Sequence, residues 1–533
     1  MTTFALENRS VHPCYGAMDL WRSLRRLFTP SLCDCLLVSQ FLWLFAGIYG
    51  WQALLADGDT GWHIRTGDFI LASKIIPRRD LFSFSLSHAP WYAWEWLADV
   101  IFALLHKTWG LAGVVVGSAT LIVGTSIVLF RHMLWKNVNS LVALILTLLT
   151  VSACSIHYLA RPHLFSLLLF AVCQWILDYD REQTSRVLWV LVPLTVLWVN
   201  LHGGFVVLLA AIGLLMTGSL VETWVNAGVL NRHALFRYIG LAAACSAASL
   251  LNPYGFQLHL HIAGYLSSDW IREAVDEFQA PRFRSENLFH YELLLIATLV
   301  TVGTQLTRRR ITPAVSILFW AHFSLISTRH VPIFVITAVP VVGAELSRIL
   351  GAWSAHRPGS FPALLYALGK DLTGVFGRIS LWGPAALLAV VLLYPASRWP
   401  RDFPETKFPT AMVTRHKQEL ASSRVFTSDQ WGDYLIYKNW PSQKIFIDGR
   451  SDFYGPQVGR LYLQIINGQG NWEQVLNGYA VDKVLCPREW PLAALLMLSP
   501  GWRLLDKDRL SCLFVRSGRR KGEPAKALQP HVR

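Results

Sequence analysis

The stretch at residues 56–100, ADGDTGWHIRTGDFILASKIIPRRDLFSFSLSHAPWYAWEWLADV, follows the first strongly apolar segment and breaks its pattern abruptly. It is the densest cluster of acidic and aromatic residues in the chain. Its acids and His63 stand between segments apolar enough for a membrane, where an ionisable group is either solvated or functional. We therefore predict that this stretch is an active-site loop.

The composition around this loop is that of a membrane protein. Of 533 residues, 53% are hydrophobic and only 15% are charged, whereas soluble proteins carry about 25% charged residues. The net charge of +14 comes from Lys and Arg that fall mostly in short loops between apolar segments. Such loops orient helices and contact anionic lipid headgroups. We therefore predict a polytopic α-helical membrane protein that contacts membrane lipids and binds no nucleic acid.

The apolar segments predict about eleven transmembrane helices, because about 20 apolar residues cross a bilayer and shorter spans are tolerated inside a protein. The predicted spans are residues 36–55, 110–130, 140–158, 162–177, 187–199, 203–221, 238–251, 290–306, 311–327, 331–350 and 380–397. Helical patterns at 63–75, with Thr60 as a candidate N-cap, and at 94–109 predict two further helices that lie at the membrane interface.

Basic residues assign the sidedness of these helices. They cluster in alternate loops, which places residues 1–35 in the cytoplasm and both the loop at 56–109 and the C-terminal region on the external side. The membrane domain then covers residues 36–397. Residues 398–520 form a small external α/β domain, and 521–533 are a disordered tail.

Five short segments predict strands in the external domain: SSRVFTS at 422–428, DYLIYKN at 433–439, KIFID at 444–448, KVLCP at 483–487 and SCLFVRS at 511–517. Helical patterns at 457–466 and 471–476 alternate with them. Cys486 and Cys512 fall in two of these segments, so a disulfide between them is one possibility.

Asp57 and Asp59 are separated by one glycine, so both carboxylates can face one cavity at the start of a helix. This pattern fits a general base or a metal ligand, and His63 follows one turn later. The alternative is that Asp59 and Thr60 only cap the helix, since both residue types are common N-caps.

Glu95 stands among four aromatic residues in Trp91-Tyr92-Ala93-Trp94-Glu95-Trp96. Aromatic rings such as Trp94 stack on sugars, and desolvation raises the pKa of a carboxyl group. Glu95 is therefore a candidate catalytic acid or base, and Trp94 a candidate substrate contact. The alternative is an aromatic belt at the membrane interface.

Cations and other polar residues stand at the external ends of several predicted spans. Arginine binds phosphate through two hydrogen bonds, so these residues fit a lipid-linked phosphate; the alternative is snorkelling to lipid headgroups. The candidates are Arg161, His163, Arg329 and His330, with Asn200 and His202 just before Gly203-Gly204. The segments 429–434 and 447–455 of the C-terminal domain are a candidate substrate-facing rim or, alternatively, a network that stabilises the fold.

These features together resemble the GT-C class of integral membrane glycosyltransferases. GDTGWH at 58–63, the helix at 63–75 and WYAWEWLADV at 91–100 occupy the places of the first external loop of that class. The segments SDQWGDYLIYKNWP and KIFIDGRSDFYG look like the soluble domain of an uncharacterised bacterial branch of the class. TSDQWGDYL is loosely similar to the tryptophan-aspartate region of oligosaccharyltransferase catalytic subunits.

The resemblance implies transfer of a sugar, with inversion, from a polyprenyl-phosphate-linked donor to an envelope acceptor at the external face. Asp59 would act as the base or hold a divalent cation, Mg or Mn, while Arg161 and Arg329 would stabilise the departing lipid phosphate. The acceptor, whether a glycan, a lipid or a protein, stays open. The expected location is the bacterial inner membrane, with the C-terminal domain in the periplasm.

Two other functions compete with this one. A transporter or flippase of lipid-linked saccharides would carry charges deep in its spans and an internal repeat, and the sequence shows neither. A non-catalytic envelope assembly protein would tolerate the loss of Asp59.

Overall fold

The computed structural model describes residues 27–47, 50–229, 231–284, 288–376 and 380–517, so the predicted tail at 521–533 lies outside the described residues. The fold is mostly helical, with a small sheet near the C-terminus. Helices lie at every one of the eleven predicted positions. Their bounds are Leu32–Ala46 with Trp51–Leu54, Trp96–Trp135, Ser140–Cys154, His163–Glu182, Leu191–Leu201, Val206–Val225, Arg232–Ala248, Phe289–Thr307, Ile311–Ile326, Val331–His356 and Trp382–Leu393.

Five of the described helical segments are long and apolar enough to cross a membrane. They are Trp96–Trp135, Ser140–His157, Gly203–Val225, Phe289–Thr307 and Thr328–His356. Four shorter apolar helices accompany them: Cys33–Phe45, Arg186–Leu201, Ile311–Ile326 and Trp382–Leu393. The chain is therefore a multi-pass membrane protein, and the count of eleven crossings stays a prediction.

The segment Trp96–Trp135 contains a break in its backbone. Trp109 has φ −147° and ψ 24°, and Gly110 has φ 60° and ψ −152°, both outside the helical region. The break falls at the boundary between the predicted interfacial helix at 94–109 and the predicted span at 110–130. Residues on the N-terminal side of the break, such as Asp99, thus belong to a helix separate from the apolar one that follows.

Two further helices, Phe256–Ser267 and Asp269–Ala274, lie between the predicted spans 238–251 and 290–306. Another, Phe361–Phe376, lies between the predicted spans 331–350 and 380–397. In this last helix, the Tyr366 carbonyl accepts a hydrogen bond from Asn139 Nδ2 at 2.8 Å, and the Gly369 carbonyl accepts one from the Ser140 hydroxyl. These contacts fix it against the helix Ser140–Cys154.

The helix of the first loop (residues 56–95) runs from Asp59 to Ser73, and the predicted Thr60 cap is wrong. Gly58 is the N-cap residue, without a side-chain cap, and the Asp57 carboxylate accepts from Asp59 N at 2.9 Å. The Thr60 hydroxyl instead donates to the Ala160 carbonyl at 2.9 Å. Thr60 therefore fastens the first loop to residue 160 and leaves Asp59 free of a capping role.

The C-terminal region (residues 400–517) contains a four-stranded sheet in the order β1-β2-β4-β3. The strands are Val425–Phe426 (β1), Lys483–Pro487 (β2), Trp502–Lys507 (β3) and Ser511–Arg516 (β4). β1 is parallel to β2, and the other two pairs are antiparallel. Cys486 lies directly opposite Cys512 in the β2–β4 register, and both are buried free thiols. β3 was not predicted.

The helices of this region are Thr410–Arg415, Lys417–Ala421, Asp429–Asn439, Ser451–Ile466, Trp472–Gly478 and Pro491–Leu498. The segment DYLIYKN, predicted as a strand, belongs to Asp429–Asn439. Ser428 caps this helix by accepting from Trp431 N at 3.1 Å. Residues 431–437 are all buried, so protein surrounds this part of the helix. Its apolar residues therefore do not recur on one face only, which is the pattern that predicts a helix.

The first loop and the C-terminal region pack on each other. Arg65 Nε donates to the Tyr437 carbonyl at 2.8 Å, and Gly58 N donates to Gln430 Oε1 at 2.7 Å. The predicted strand KIFID is instead an extended segment that meets the first loop, where Phe84 N donates to the Ile445 carbonyl at 2.9 Å. These contacts bring the polar turns of the C-terminal region over the first loop.

Candidate active site

A cavity of about 1000 Å³ lies where the first loop, the C-terminal region and the ends of several apolar helices meet. Ten of the eleven predicted site residues line it: Asp57, Asp59, His63, Trp94, Glu95, Arg161, His163, His202, Arg329 and His330. Asp429, Gln430 and the turn at 449–452 also face it, which agrees with the predicted rim. Residues more than 390 positions apart in the sequence thus meet in one chamber.

Asn200 is the exception, because its side chain is used up in structural hydrogen bonds. Its Oδ1 accepts from Trp96 Nε1 at 2.8 Å. Its Nδ2 donates to the carbonyls of Val196 at 2.8 Å and Leu251 at 2.9 Å. The side chain therefore ties the end of the helix Leu191–Leu201 to its neighbours and does not line the cavity.

Arg161 is the centre of an ionic cluster in the cavity. Its Nη2 lies 2.8 Å from Asp59 Oδ2, and its Nη1 lies 3.1 Å from Asp57 Oδ2. Nη1 also lies 2.5 Å from Glu277 Oε1. The bend at Gly58 points both aspartates at one guanidinium, as their spacing predicted. One cation is thus shared by three carboxylates, which leaves the cluster with an excess of negative charge.

Asp59 has a second carboxyl neighbour, Asp433 from the C-terminal region. A Cβ built on Gly449 would lie 1.9 Å from Asp59 Oδ1 and 3.0 Å from Asp433 Oδ2, so the two carboxyl groups flank the same point. Only glycine allows this approach. Gly449 N donates to both oxygens of Asp433, at 3.1 and 3.2 Å. The catalytic candidate is therefore completed by the C-terminal region.

The Asp59 carboxyl is well placed to accept a proton. Its side chain is only 6% exposed, and burial raises its pKa above the ordinary value against the opposing charge of Arg161. Burial also raises the pKa of Asp433, and the neighbouring Asp59 adds to that effect. Among the described residues Asp59 Oδ1 has no hydrogen-bond partner, and this buried oxygen lies beside Gly449 and Asp433.

Glu95 lies between two imidazole rings. Its Oε1 is 3.4 Å from His202 Nε2, and its Oε2 is 3.8 Å from His63 Nε2. His63 Nδ1 lies 2.6 Å from Asp99 Oδ1, and the Ser166 hydroxyl donates to His202 Nδ1 at 2.7 Å.

Burial raises the pKa of Glu95 to about 8, although Arg161 and Arg329 act against it. A carboxyl group with such a pKa exchanges protons near neutral pH, which suits an acid or a base.

Arg329 and Arg161 are both held by the segment at 252–284. Arg329 Nη1 donates to the Tyr265 hydroxyl at 3.0 Å. Its guanidinium lies 5.1 Å from the centre of the Phe278 ring, while Glu277 holds Arg161. Sequence reasoning treated this segment only as a long loop, because isolated Tyr and Glu residues in a polar loop carry no local signal. Glu277 and Tyr265 were therefore missed as site residues, whereas Asp433 lies in the predicted rim segment 429–434.

The lining of the cavity includes an apolar set of residues, here called the apolar wall, besides its acids and cations. The apolar residues come mainly from the helices His163–Glu182, Val206–Val225, Ile311–Ile326 and Val331–His356. They are Leu167, Val206, Val207, Ala210, Phe319, Phe323 and Ile333. Such a chamber fits an amphiphile with a charged head and a hydrocarbon tail.

The residues around Asp59 fit a divalent cation in part. No group of three or more His, Cys, Asp or Glu side chains in the described ranges is arranged to hold a metal ion. Mg²⁺ nevertheless binds commonly through one or two carboxylates together with water and substrate phosphate. The unpartnered Asp59 Oδ1 and the adjacent Asp433 provide two such carboxylates.

The fold of the chain matches solved membrane glycosyltransferases. The oligosaccharyltransferase of Archaeoglobus fulgidus tethered to an acceptor peptide superposes with a TM-score of 0.53 at 12% identity, over 89% of this chain and 70% of that one. Its apo form gives 0.50 at 13% identity, over 85% and 69%. ArnT from Cupriavidus metallidurans bound to undecaprenyl phosphate gives 0.46 at 10% identity, over 91% and 97%.

No protein-family model and no curated protein sequence matches the chain. The likeness to the two oligosaccharyltransferase structures, both of GT-C enzymes, covers 85% and 89% of this chain. The chain therefore has a GT-C-like fold.

Proposed function

We propose that this protein is a glycosyltransferase that takes a sugar from a polyprenyl-phosphate-linked donor and passes it, with inversion, to an envelope acceptor. The observation that carries this proposal is the Asp59 carboxyl, which is buried in the cavity with Oδ2 on Arg161 and Oδ1 unpartnered. The GT-C-like fold supports it, since the two oligosaccharyltransferase structures share that fold.

In the proposed reaction Asp59 Oδ1 accepts the proton of the acceptor hydroxyl group. The acceptor oxygen forms a bond to the anomeric carbon from the face opposite the phosphate. The bond between that carbon and the phosphate oxygen breaks, and its electron pair leaves with the lipid phosphate. Fixed cations stabilise the charge that develops on a leaving group in a water-poor site, and Arg161 and Arg329 have this role here.

A divalent cation is part of the proposal as an alternative role for Asp59. Mg or Mn held by Asp59 and Asp433 would neutralise charge on the donor phosphate. In that case Glu95 takes the proton, because burial raises its pKa to about 8 and it lines the same cavity.

The apolar wall supports the assignment of a lipid-linked donor. A polyprenyl chain is hydrocarbon, and Val207, Phe319 and Phe323 offer it an apolar surface on helices that belong to the membrane. We place the protein in a bacterial inner membrane, with its N-terminus in the cytoplasm and the C-terminal region in the periplasm. Trp94 at the polar end of the cavity then contacts the sugar.

The test is the Asp59→Asn variant, with Asp68→Asn as its matched control. Asp68 lies on the same helix, pairs with Arg65 and is 32% exposed outside the cavity lining. Purified wild type and variants are assayed for binding of undecaprenyl phosphate. Turnover is measured with a panel of undecaprenyl-phosphate-linked hexoses and pentoses, using water and alkyl glycosides as acceptors.

We expect Asp59→Asn to bind the lipid at least as tightly as the wild type, because it removes one carboxylate from Arg161. It should lose turnover by about 100-fold or more, the size of a lost general base. Asp68→Asn keeps wild-type turnover. EDTA followed by added Mg or Mn separates the base role from the metal role. Equal turnover in both variants would refute the proposal, and binding without any turnover in the wild type would favour a transporter.

A further inference from the structure

Glu277 is a carboxylate surrounded by basic groups. Its Oε1 lies 2.5 Å from Arg161 Nη1. Although burial alone would raise its pKa, the charges of Arg161 and Arg329, together with His157 and His163, hold the pKa of Glu277 below its usual range. A carboxylate in such surroundings occupies a site that suits anions in general.

The backbone at Glu277 is held by hydrogen bonds that do not involve its side chain. The Glu277 carbonyl accepts from the Ser327 hydroxyl at 2.8 Å and from the Thr328 hydroxyl at 3.1 Å. Thr328 N also donates to the Gln279 carbonyl at 3.0 Å. These bonds tie residue 277 to the segment that leads directly into Arg329. The carboxylate takes no part in these bonds, so its release from Arg161 would break none of them.

The surrounding segment is fastened to the C-terminal region as well. A Cβ built on Gly459 would lie 2.0 Å from Trp270 Cζ2, so the indole ring lies directly on that glycine. His261 Nε2 lies 3.0 Å from Asp452 Oδ2. The segment that carries Glu277 is thus fastened to the C-terminal region through Trp270 and His261.

We propose that Glu277 is a positioning residue that occupies the phosphate subsite on Arg161 until a phosphate group displaces its side chain. The subsite takes a phosphate monoester or diester, and the identification of that phosphate with a lipid-linked donor rests on the proposed function. Without phosphate, the Glu277 carboxylate pairs with Arg161 Nη1. When a phosphate binds Arg161, the carboxylate turns away from it.

The charge balance supports competition between the two anions. Arg161 already contacts Asp57 and Asp59, so a phosphate that joined all three carboxylates would be a fourth anionic group on one guanidinium. Like charges at such distances repel strongly where solvent is limited. A phosphate therefore binds best when one carboxylate leaves, and Glu277 is the one whose side chain is 24% exposed and not part of the Asp57–Asp59 turn.

The test measures the dissociation constant of undecaprenyl phosphate for wild type, Glu277→Gln and Glu273→Gln in the same detergent. Glu273 is an exposed carboxylate in the helix Asp269–Ala274, close in sequence and outside the cavity lining, so it controls for loss of charge. Inorganic phosphate is a second ligand, which separates a headgroup-only site from one that needs the lipid. Glu277→Asp, which keeps the charge but shortens the side chain by one methylene, is a second variant.

We expect Glu277→Gln to bind undecaprenyl phosphate about tenfold tighter than the wild type, as removal of a charged competitor implies. Glu277→Asp should fall between them, and Glu273→Gln should match the wild type. Weaker or unchanged binding in folded Glu277→Gln, or no binding to any of these proteins, would overturn the inference. Tighter binding with no sugar transfer by the wild type would uphold it and reject the proposed function instead.

Discussion

Arg450 joins the C-terminal region to the first loop, and its removal gives a sharp test of this interface. Its Nη2 lies 2.8 Å from Asp80 Oδ1 and 2.6 Å from Asp448 Oδ2, and its Nε donates to Asp448 Oδ1 at 2.8 Å. All three side chains are at most 3% exposed. The guanidinium also lies 4.6 Å from the ring centre of Trp91.

Arg450→Met leaves two buried carboxylates without their cation. Breaking a buried ion pair by removal of one partner costs about 3–5 kcal/mol. Asp80 keeps bonds from Phe82 N, Ser83 N and the Ser83 hydroxyl, and Asp448 keeps the Tyr454 hydroxyl. We therefore expect Arg450→Met to cost about 3 kcal/mol of stability, the lower end of this range. For the first loop and the C-terminal region together, about 160 residues, this corresponds to a fall of about 6–12 °C in the melting temperature.

The assay is thermal unfolding in detergent followed by tryptophan fluorescence, with Arg503→Met as the control at an exposed position of β3. Adding Asp80→Asn to Arg450→Met should recover part of the loss, because it removes one of the stranded charges. The reasoning fails if the melting temperature of Arg450→Met is within about a degree of that of Arg503→Met. It also fails if Asp80→Asn lowers the stability of the Arg450→Met variant by as much as it lowers that of the wild type.

Two further changes probe the cavity itself. Gly449→Ala should lower turnover by about 100-fold, because the new Cβ would lie 1.9 Å from Asp59 Oδ1 and displace that side chain. The control is Gly213→Ala, since nothing lies within 4 Å of the place where its Cβ would be. Equal turnover in the two variants would contradict this geometry. Glu95 keeps its proton in the folded protein up to about pH 8, whereas unfolding releases it above the ordinary carboxyl range. Its contribution to stability therefore falls as the pH rises toward about 8. Glu95→Gln should flatten the fall of the melting temperature between about pH 6 and pH 8, and an unchanged slope would show that other groups cause it.

Apolar length and helix-breaking residues were enough to predict the helical membrane domain. Each predicted span coincides with a helix. The break in the helix at Trp109–Gly110 could be predicted from the sequence, because His106 and Lys107 interrupt the apolar run. The helix Phe361–Phe376 was not visible, since it lies between basic residues and has exposed apolar side chains such as Phe361 and Leu364. Its packing partners, more than 200 residues away, give no local signal.

The candidate site divides in the same way. Asp59, Arg161 and Glu95 were found because ionisable residues beside apolar segments are rare. Glu277 was missed because its importance comes only from Arg161, a neighbour distant in sequence. Asp433 was predicted only as part of the rim segment 429–434, and its place beside Asp59 could not be read from the sequence. Asn200 was misassigned for the converse reason, since a polar residue at a helix end binds backbone carbonyls as readily as a substrate.

The break at Gly110 has a geometric consequence for the whole molecule. A straight helix from Trp96 to Trp135 has 40 residues and would be about 60 Å long, twice the hydrocarbon thickness of about 30 Å. With φ 60° and ψ −152°, Gly110 adopts a conformation that residues with a Cβ avoid, and nothing lies within 4 Å of the place where its Cβ would be. Gly110 therefore lets one continuous segment run in two directions. Residues 96–109 pack beside the helix Asp59–Ser73, and residues 111–135 form the apolar helix that follows.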